Sequence, residues 1–247
     1  MDSYIIIKML IQLLYDKNVC LLQINQPIMK RLTIIAVFLF FTTISYAQYN
    51  NKDGNRIGIT GGISQSTLFT SNFNAKPGIG YNGGLSVRGN YYNNWSMIFG
   101  MQFFQNTFSL ETTSPTTTLK ETDFNFSGAQ IRLLLSYNVV KDHVSLDFGP
   151  VLQVNGNLTT KSTEANNSIK GTTLKASQIE EISKFNGNVY IGISAGNRRL
   201  RAVFYYQYGF TNLLNNLNSN AASVIQNGNK DFKGNVGTVS AQILFNL

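Results

Sequence analysis

Cysteine is almost absent from this sequence. The single one, Cys20, lies near the start. No disulfide framework can hold the remaining chain together, and cysteine catalysis and thiolate metal sites are excluded there. Asn18-Val19, just before Cys20, are not the small residues that lipidation of a cysteine needs. Charge is scarce as well: Asp, Glu, Lys and Arg make up 13% of the chain, about half the roughly 25% usual for a globular domain. Histidine occurs once, at His143. No run after residue 47 supplies the about 20 apolar residues that a membrane-spanning helix requires. Metal-ligand spacings, phosphate loops and dinucleotide fingerprints are also missing, so no cofactor is expected. Low charge without a spanning helix leaves a secreted β protein or a membrane β-barrel.

Met29-Lys30-Arg31 leads into the apolar run Leu32 to Phe41, and Ser45-Tyr46-Ala47 places small residues before Gln48. A basic start, an apolar core and a small-residue site read as a secretory signal peptide over 29–47, cleaved after Ala47. Residues 1–28 then read as a start called too early, with Met29 the initiator, or as an extension. Residues 48–247 form one domain with 16 Lys and Arg against 10 Asp and Glu. For an exported basic chain, nucleic acid is not an expected partner. Outer-membrane lipid and lipopolysaccharide phosphates are.

Period-two alternation dominates what is present. Ala129, Ile131, Leu133, Leu135, Tyr137 and Val139 alternate with Gly128, Gln130, Arg132, Leu134, Ser136 and Asn138. After a turn at Lys141-Asp142, Val144, Leu146, Phe148, Pro150, Leu152 and Val154 alternate with Ser145, Asp147, Gly149, Val151 and Gln153. Such alternation gives each strand an apolar and a polar face. A two-residue turn would pair Val139 with Val144, Tyr137 with Leu146 and Leu135 with Phe148, aligning the apolar faces. The arms are long enough for the about 9–11 residues of a spanning strand.

The same pattern recurs at 57–63, 79–91, 95–103, 185–195, 200–210 and 239–247. Longer polar connections are expected at about 67–78, 110–122, 157–183 and 213–233, with a helical turn within 177–184, and short turns between the other strands. Segregation of long and short connections to opposite ends marks outer-membrane barrels, with short turns in the periplasm. The expected fold is therefore an eight-stranded antiparallel up-and-down transmembrane β-barrel with four long external loops and three short periplasmic turns. The bulky residues Trp95, Phe99, Phe103, Leu133, Leu135, Phe148, Phe204 and Tyr206 would overfill so narrow an interior, whereas Gly, Ser, Asn and Gln would fit. The bulky face is thus expected to meet lipid. Tyr91, Tyr92, Trp95 and Tyr137 at the short-turn end, and Phe69, Phe73, Phe108, Phe124, Phe185 and Phe210 at the other, are candidates for aromatic girdles.

Arg88, Arg132, Asp147 and Arg201 fall on the inward face. An unpaired buried charge is costly, so a barrel-interior polar network is expected in which Asp147 pairs with Arg88 or Arg201. Ser145, His143 and Asp142 include the residue types of a hydrolytic triad. Neighbouring residues of one strand point to opposite faces, however, and His143 sits beside the short turn at Lys141-Asp142, so no enzyme is expected. Lys161, Lys170 and Lys175 are candidate loop contacts for anionic sugar-phosphates.

Three features resemble the PorT-like family of small outer-membrane β-barrel proteins common in Bacteroidetes: the signal ending Ser45-Tyr46-Ala47-Gln48, the first strand Ile57-Gly58-Ile59-Thr60-Gly61-Gly62-Ile63-Ser64, and the last strand Val239 to Leu247. The resemblance implies an outer-membrane location and insertion by barrel-assembly machinery, although Leu247 stands where such strands usually end in an aromatic. A monomeric, non-catalytic barrel is expected, too narrow for an open pore, that acts through an unknown loop partner. A soluble lipocalin-like barrel binding a small apolar ligand is the alternative, and it requires the aromatic face to lie inside.

Overall fold

The structure, a computed structural model, describes residues 55–116 and 118–247. The expected signal peptide, the upstream segment and Cys20 lie outside the described residues. Strands β1 (Arg56–Thr70), β2 (Ala75–Tyr92), β3 (Trp95–Thr113), β4 (Leu119–Val140), β5 (Val144–Asn155), β7 (Phe185–Gly196), β8 (Leu200–Gly209) and β9 (Gly234–Asn246) form the barrel. A two-residue strand, β6 (Ser168–Ile169), sits in the loop between β5 and β7 and pairs with the far end of β3. Sheet neighbours run antiparallel in the order β2-β1-β9-β8-β7-β5-β4-β3, and β2–β3 pairing completes the ring. Closure between first and last strands runs from Gly58↔Asn246 to Thr70↔Gly234. Every barrel strand reaches the spanning length, from 10 residues in β8 to 22 in β4.

Side-chain parity follows the expected alternation. Ile63, Leu85, Phe99, Leu133, Leu152, Ile191, Phe204 and Ile243 are exposed on the outer wall, while Thr60, Asn82, Gln102, Gln130, Gln153 and Gln242 are buried inside. The alternative of an aromatic-lined soluble barrel requires the reverse and is overturned. A continuous exposed apolar wall is what a lipid solvent stabilises.

Between β7 and β8, Ile193 faces Phe204 and Ala195 faces Ala202, two residues on from the pairing of Ile193 with Ala202 that a turn at Asn197-Arg198 predicts. Between β4 and β5, register agrees with expectation at Tyr137↔Leu146 and Leu135↔Phe148. It departs at the turn: Val140, not Val139, pairs with Val144 across an irregularity between Asn138 and Val140. The turn is therefore three residues, Lys141–His143, with Asp142 at φ 63°. An Asp tolerates this left-handed conformation better than most residues, and the extra residue leaves both Val139 and Val140 on the outer surface.

The end opposite the short turns departs further. Two of the expected loops are mostly strand: only 71–74 joins β1 to β2, and only 114–118 joins β3 to β4. Thr-rich sequence suits strands as well as loops, and the β3–β4 ladder continues to Thr113↔Leu119. Long connections remain at 156–184 and 210–233. The first carries a 3-10 turn at Ala176–Ile179, the second a 3-10 turn at Asn215–Ser219 and a short helix at Ala221–Gln226, capped by the Asn220 side chain.

Candidate functional site

The candidate site is the barrel interior with its two mouths, built in layers by the inward residues of successive strands. At the short-turn end, Arg88 on β2 lies 3.4 Å from Asp147 on β5 through Nη2, and its Nη1 donates to Ser136 Oγ at 2.6 Å. The hydroxyls of Ser136 and Ser145 also donate to the Asp147 carboxylate. Arg201 does not reach Asp147 directly. It donates to the carbonyls of Ser194 and Asp142, each at 3.1 Å, and to Ser145 Oγ at 3.3 Å, so Ser145 links it to the acid. Ordered donors and acceptors offset the desolvation of these charges, which in a narrow barrel would otherwise be prohibitive.

At mid-height Arg132 takes a different kind of partner. Its guanidinium lies 4.6 Å from the ring centre of Tyr205 and 5.3 Å from that of Tyr190, and the two rings stack at 4.7 Å. It donates to Tyr205 Oη at 2.9 Å and to the Gln102 amide oxygen. Desolvated cation–π contacts of this kind stabilise by about 2 kcal/mol. Arg132 is thus held by π faces and neutral acceptors and takes no part in the Arg88–Asp147 cluster. Asn82, Gln102, Gln130, Gln207 and Gln242 hydrogen-bond across the lumen around it.

Toward the long loops the same inward parity turns apolar. Phe104 and Phe108 on β3 meet Phe124 and Phe126 on β4, with Phe108 and Phe124 stacked at 5.9 Å. Gly128 makes room for this: a Cβ there would lie 2.8 Å from the Phe104 ring and 2.0 Å from the Val154 carbonyl oxygen. Leu158, Leu174, Ile179, Ile182, Leu213, Leu214, Leu217 and Phe232 from the two long loops complete one buried cluster with these rings. Phe73, Phe108 and Phe124 therefore belong to an internal cap, correcting their assignment to an outer girdle. Phe69, Phe185 and Phe210 do stand exposed outside. Backbone bonds tie the loops to each other, including Ser183 N–H to Leu213 O at 2.8 Å.

The short-turn mouth is bridged by Asp142. Its carboxylate lies 2.6 Å from Arg56 Nη2 and 2.8 Å from Arg198 Nη2. Partial burial pushes this carboxyl up, but the hydrogen bonds and charges of Arg56 and Arg198 outweigh burial and hold it at about 2. Sequence reasoning missed Arg56 and Arg198. Arg56 was findable, because one more residue pair at the start of β1 sets it inward opposite Arg88.

His143 Nδ1 lies 2.9 Å from the Lys141 carbonyl oxygen on the rim, placed to donate to it, while Ser145 lies inside, 2.7 Å from Ser194 Oγ. The structure does not bring them together. Among the loop lysines, Lys170 pairs with Glu111 at 2.9 Å, and Lys161 and Lys175 stand exposed in the same connection.

The model of the outer membrane protein beta-barrel domain family matches residues 46–215. No curated protein matches the chain. Among solved structures, Neisserial surface protein A is similar at 11% identity and TM-score 0.45, covering 78% of this chain and 98% of its own. Ail, the attachment invasion locus protein of Yersinia pestis, gives 15% and 0.40, covering 78% and 99%. OprG from Pseudomonas aeruginosa gives 7% and 0.42, covering 79% and 97%. With a closed eight-stranded ring, an apolar outer wall and a family match over most of its length, the chain belongs to the outer membrane protein beta-barrel domain family and is an integral barrel of the outer membrane.

Proposed function

We propose that this barrel is a closed, non-catalytic scaffold that acts through its external surface, binding the anionic sugar-phosphates of lipopolysaccharide or a partner docked beside them. One observation carries the reading: the external loops share a buried core with Phe104, Phe108, Phe124 and Phe126 of the strands. Loops packed in this way form a fixed platform, and binding residues on a rigid scaffold lose little entropy on contact. Arg132, Tyr190 and Tyr205 fill the lumen beneath it, so an open pore is not part of the reading. Lys161 and Lys175 are among the exposed cations of this platform, with Lys230 and Lys233 in the second long connection, whereas Lys170 is engaged by Glu111.

In this reading the short turns face the periplasm, the barrel-assembly machinery inserts the chain, and it functions as a monomer, because ring closure leaves no barrel edge for another copy. A place among the PorT-like barrels of Bacteroidetes belongs to the same reading, carried by Ser45 to Gln48 and the strand from Ile57 to Ser64. The test combines planar-bilayer recording with lipopolysaccharide binding to the folded protein. Absence of conductance, and binding weakened by Lys161→Glu with Lys175→Glu, is the expected outcome. Stable ohmic channels, or binding indifferent to both substitutions, overturn it.

A further inference from the structure

Small residues gather at one place on the outer wall. Across β7, β8, β9 and β1 the cross-strand neighbours Ala195, Ala202, Ile243 and Gly61 form one row, and Ile193, Phe204, Ala241 and Ile63 form the next. Small side chains at Ala195, Ala202, Gly61 and Ala241 leave an apolar hollow of about 490 Å³ between the larger ones. Packing within the chain does not require the gap: a Cβ on Gly61 would meet nothing within 4 Å. The hollow lies in the lipid-facing wall, where an unfilled void forfeits dispersion contacts on one side.

A second feature sits at its foot. Only the Gly196↔Arg201 pair separates Ala195↔Ala202 from the turn Asn197–Arg199. This turn and Lys141–His143 together line an open pocket of about 650 Å³ bearing Lys141, His143, Arg198 and Arg199. The one carboxylate lining it, Asp142, is engaged by Arg56 and Arg198. Among the described residues no ion pair involves Lys141 or Arg199.

We propose that these two features are one site for an anionic phospholipid of the periplasmic leaflet, with its phosphate at Lys141 and Arg199 and an acyl chain in the hollow. The site rests on the reading that the short turns face the periplasm. The charge at the foot selects the occupant. A second copy of the chain would meet the wall with its own bulky face and leave the cationic pocket without a counter-charge. A zwitterionic lipid would fill the hollow and gain little at the foot. Each cation near a membrane surface favours an anionic lipid by an amount equivalent to about fivefold in affinity.

The test uses the full folded chain in detergent, titrated with phosphatidylglycerol or phosphatidylcholine, with retained lipid counted by native mass spectrometry. One phosphatidylglycerol should be retained in preference to phosphatidylcholine. Lys141→Ala and Arg199→Ala should each lower its affinity about fivefold. Ala202→Leu, which fills the hollow from the lipid side, should lower it too, and its effect should not add to that of Arg199→Ala, since one molecule spans both features. Heat-modifiable gel mobility verifies that each variant folds. Equal retention of the two lipids, or retention untouched by Ala202→Leu, overturns the proposal. Orientation is read separately from Asn197→Cys in a Cys20→Ser background with an impermeant maleimide. Labelling only after permeabilisation supports the periplasmic placement, and a failed lipid result then counts against the site alone. Labelling of intact cells overturns the orientation, and with it the periplasmic source of the lipid.

Discussion

Arg56 and Asp142 stand 86 positions apart in sequence and meet at 2.6 Å across the short-turn mouth. The ring order places β1 opposite β5, so this contact joins facing walls of the barrel. Arg198 grips the other carboxylate oxygen, and the Asp142 backbone carbonyl accepts from Arg201. One turn residue thus binds the start of the first strand, a second turn and the inner arginine cluster.

Acid should loosen this mouth within a defined window. The folded Asp142 carboxyl sits at about 2, below its ordinary value of 3.8. The unfolded chain therefore takes up the proton first as the pH falls. The stabilisation is complete above about pH 4 and disappears as the pH drops toward about 2. Urea unfolding of wild type and Asp142→Asn across pH 2 to 6 should give curves that converge at the acid end and separate above about pH 4.

Asp147→Asn tests the inner cluster. It preserves shape but leaves Arg88 and Arg201 buried without an acid, and breaking a buried pair costs about 3–5 kcal/mol. Removing the cation as well, in Arg88→Met with Asp147→Asn, should restore part of the loss. Unfolding free energies in a double-mutant cycle measure the coupling, and an unchanged Asp147→Asn midpoint would sink the network.

Tyr205→Phe separates hydroxyl from ring. The phenol oxygen accepts from Arg132 at 2.9 Å, while the ring's stacking on Tyr190 does not need it. A loss of about 1–2 kcal/mol is expected from the orphaned donor. Tyr205→Leu, which also removes the π face beneath the guanidinium, should cost more in the same urea titration.

Phe124→Ala tests the cap. A buried phenylalanine truncated in a packed cluster costs about 3–5 kcal/mol. Because the cluster joins loops to strands, protease should then cut within 156–184 or 210–233 while the gel-mobility shift of the closed barrel persists. Phe185→Ala, at an exposed outer position, should leave the loops protected.

Much of the fold can be read directly from the residues. Alternation at 128–154 and 185–210 assigns inside and outside because side-chain direction in a strand is a local property with period two. The same rule sets Arg88, Arg132, Asp147 and Arg201 inside before any partner is known. It does not tell a protruding hairpin from a loop at 110–122, since Thr-rich sequence serves both and the ladder from β3 to β4 decides. Nor does it reveal that Leu158, Ile179, Leu213 and Phe232, scattered through polar connections, converge on Phe108 and Phe124.

Sequence by itself thus determined the strands, their two faces and the solvent each face meets, all consequences of short-range geometry and composition. Only the tertiary structure decided which inward groups touch: Arg88 with Asp147, Arg132 with a tyrosine pair, Arg56 with Asp142. Those meetings depend on the stagger with which eight strands close into a ring, and that stagger is set by all the strand pairings together, not by any one segment.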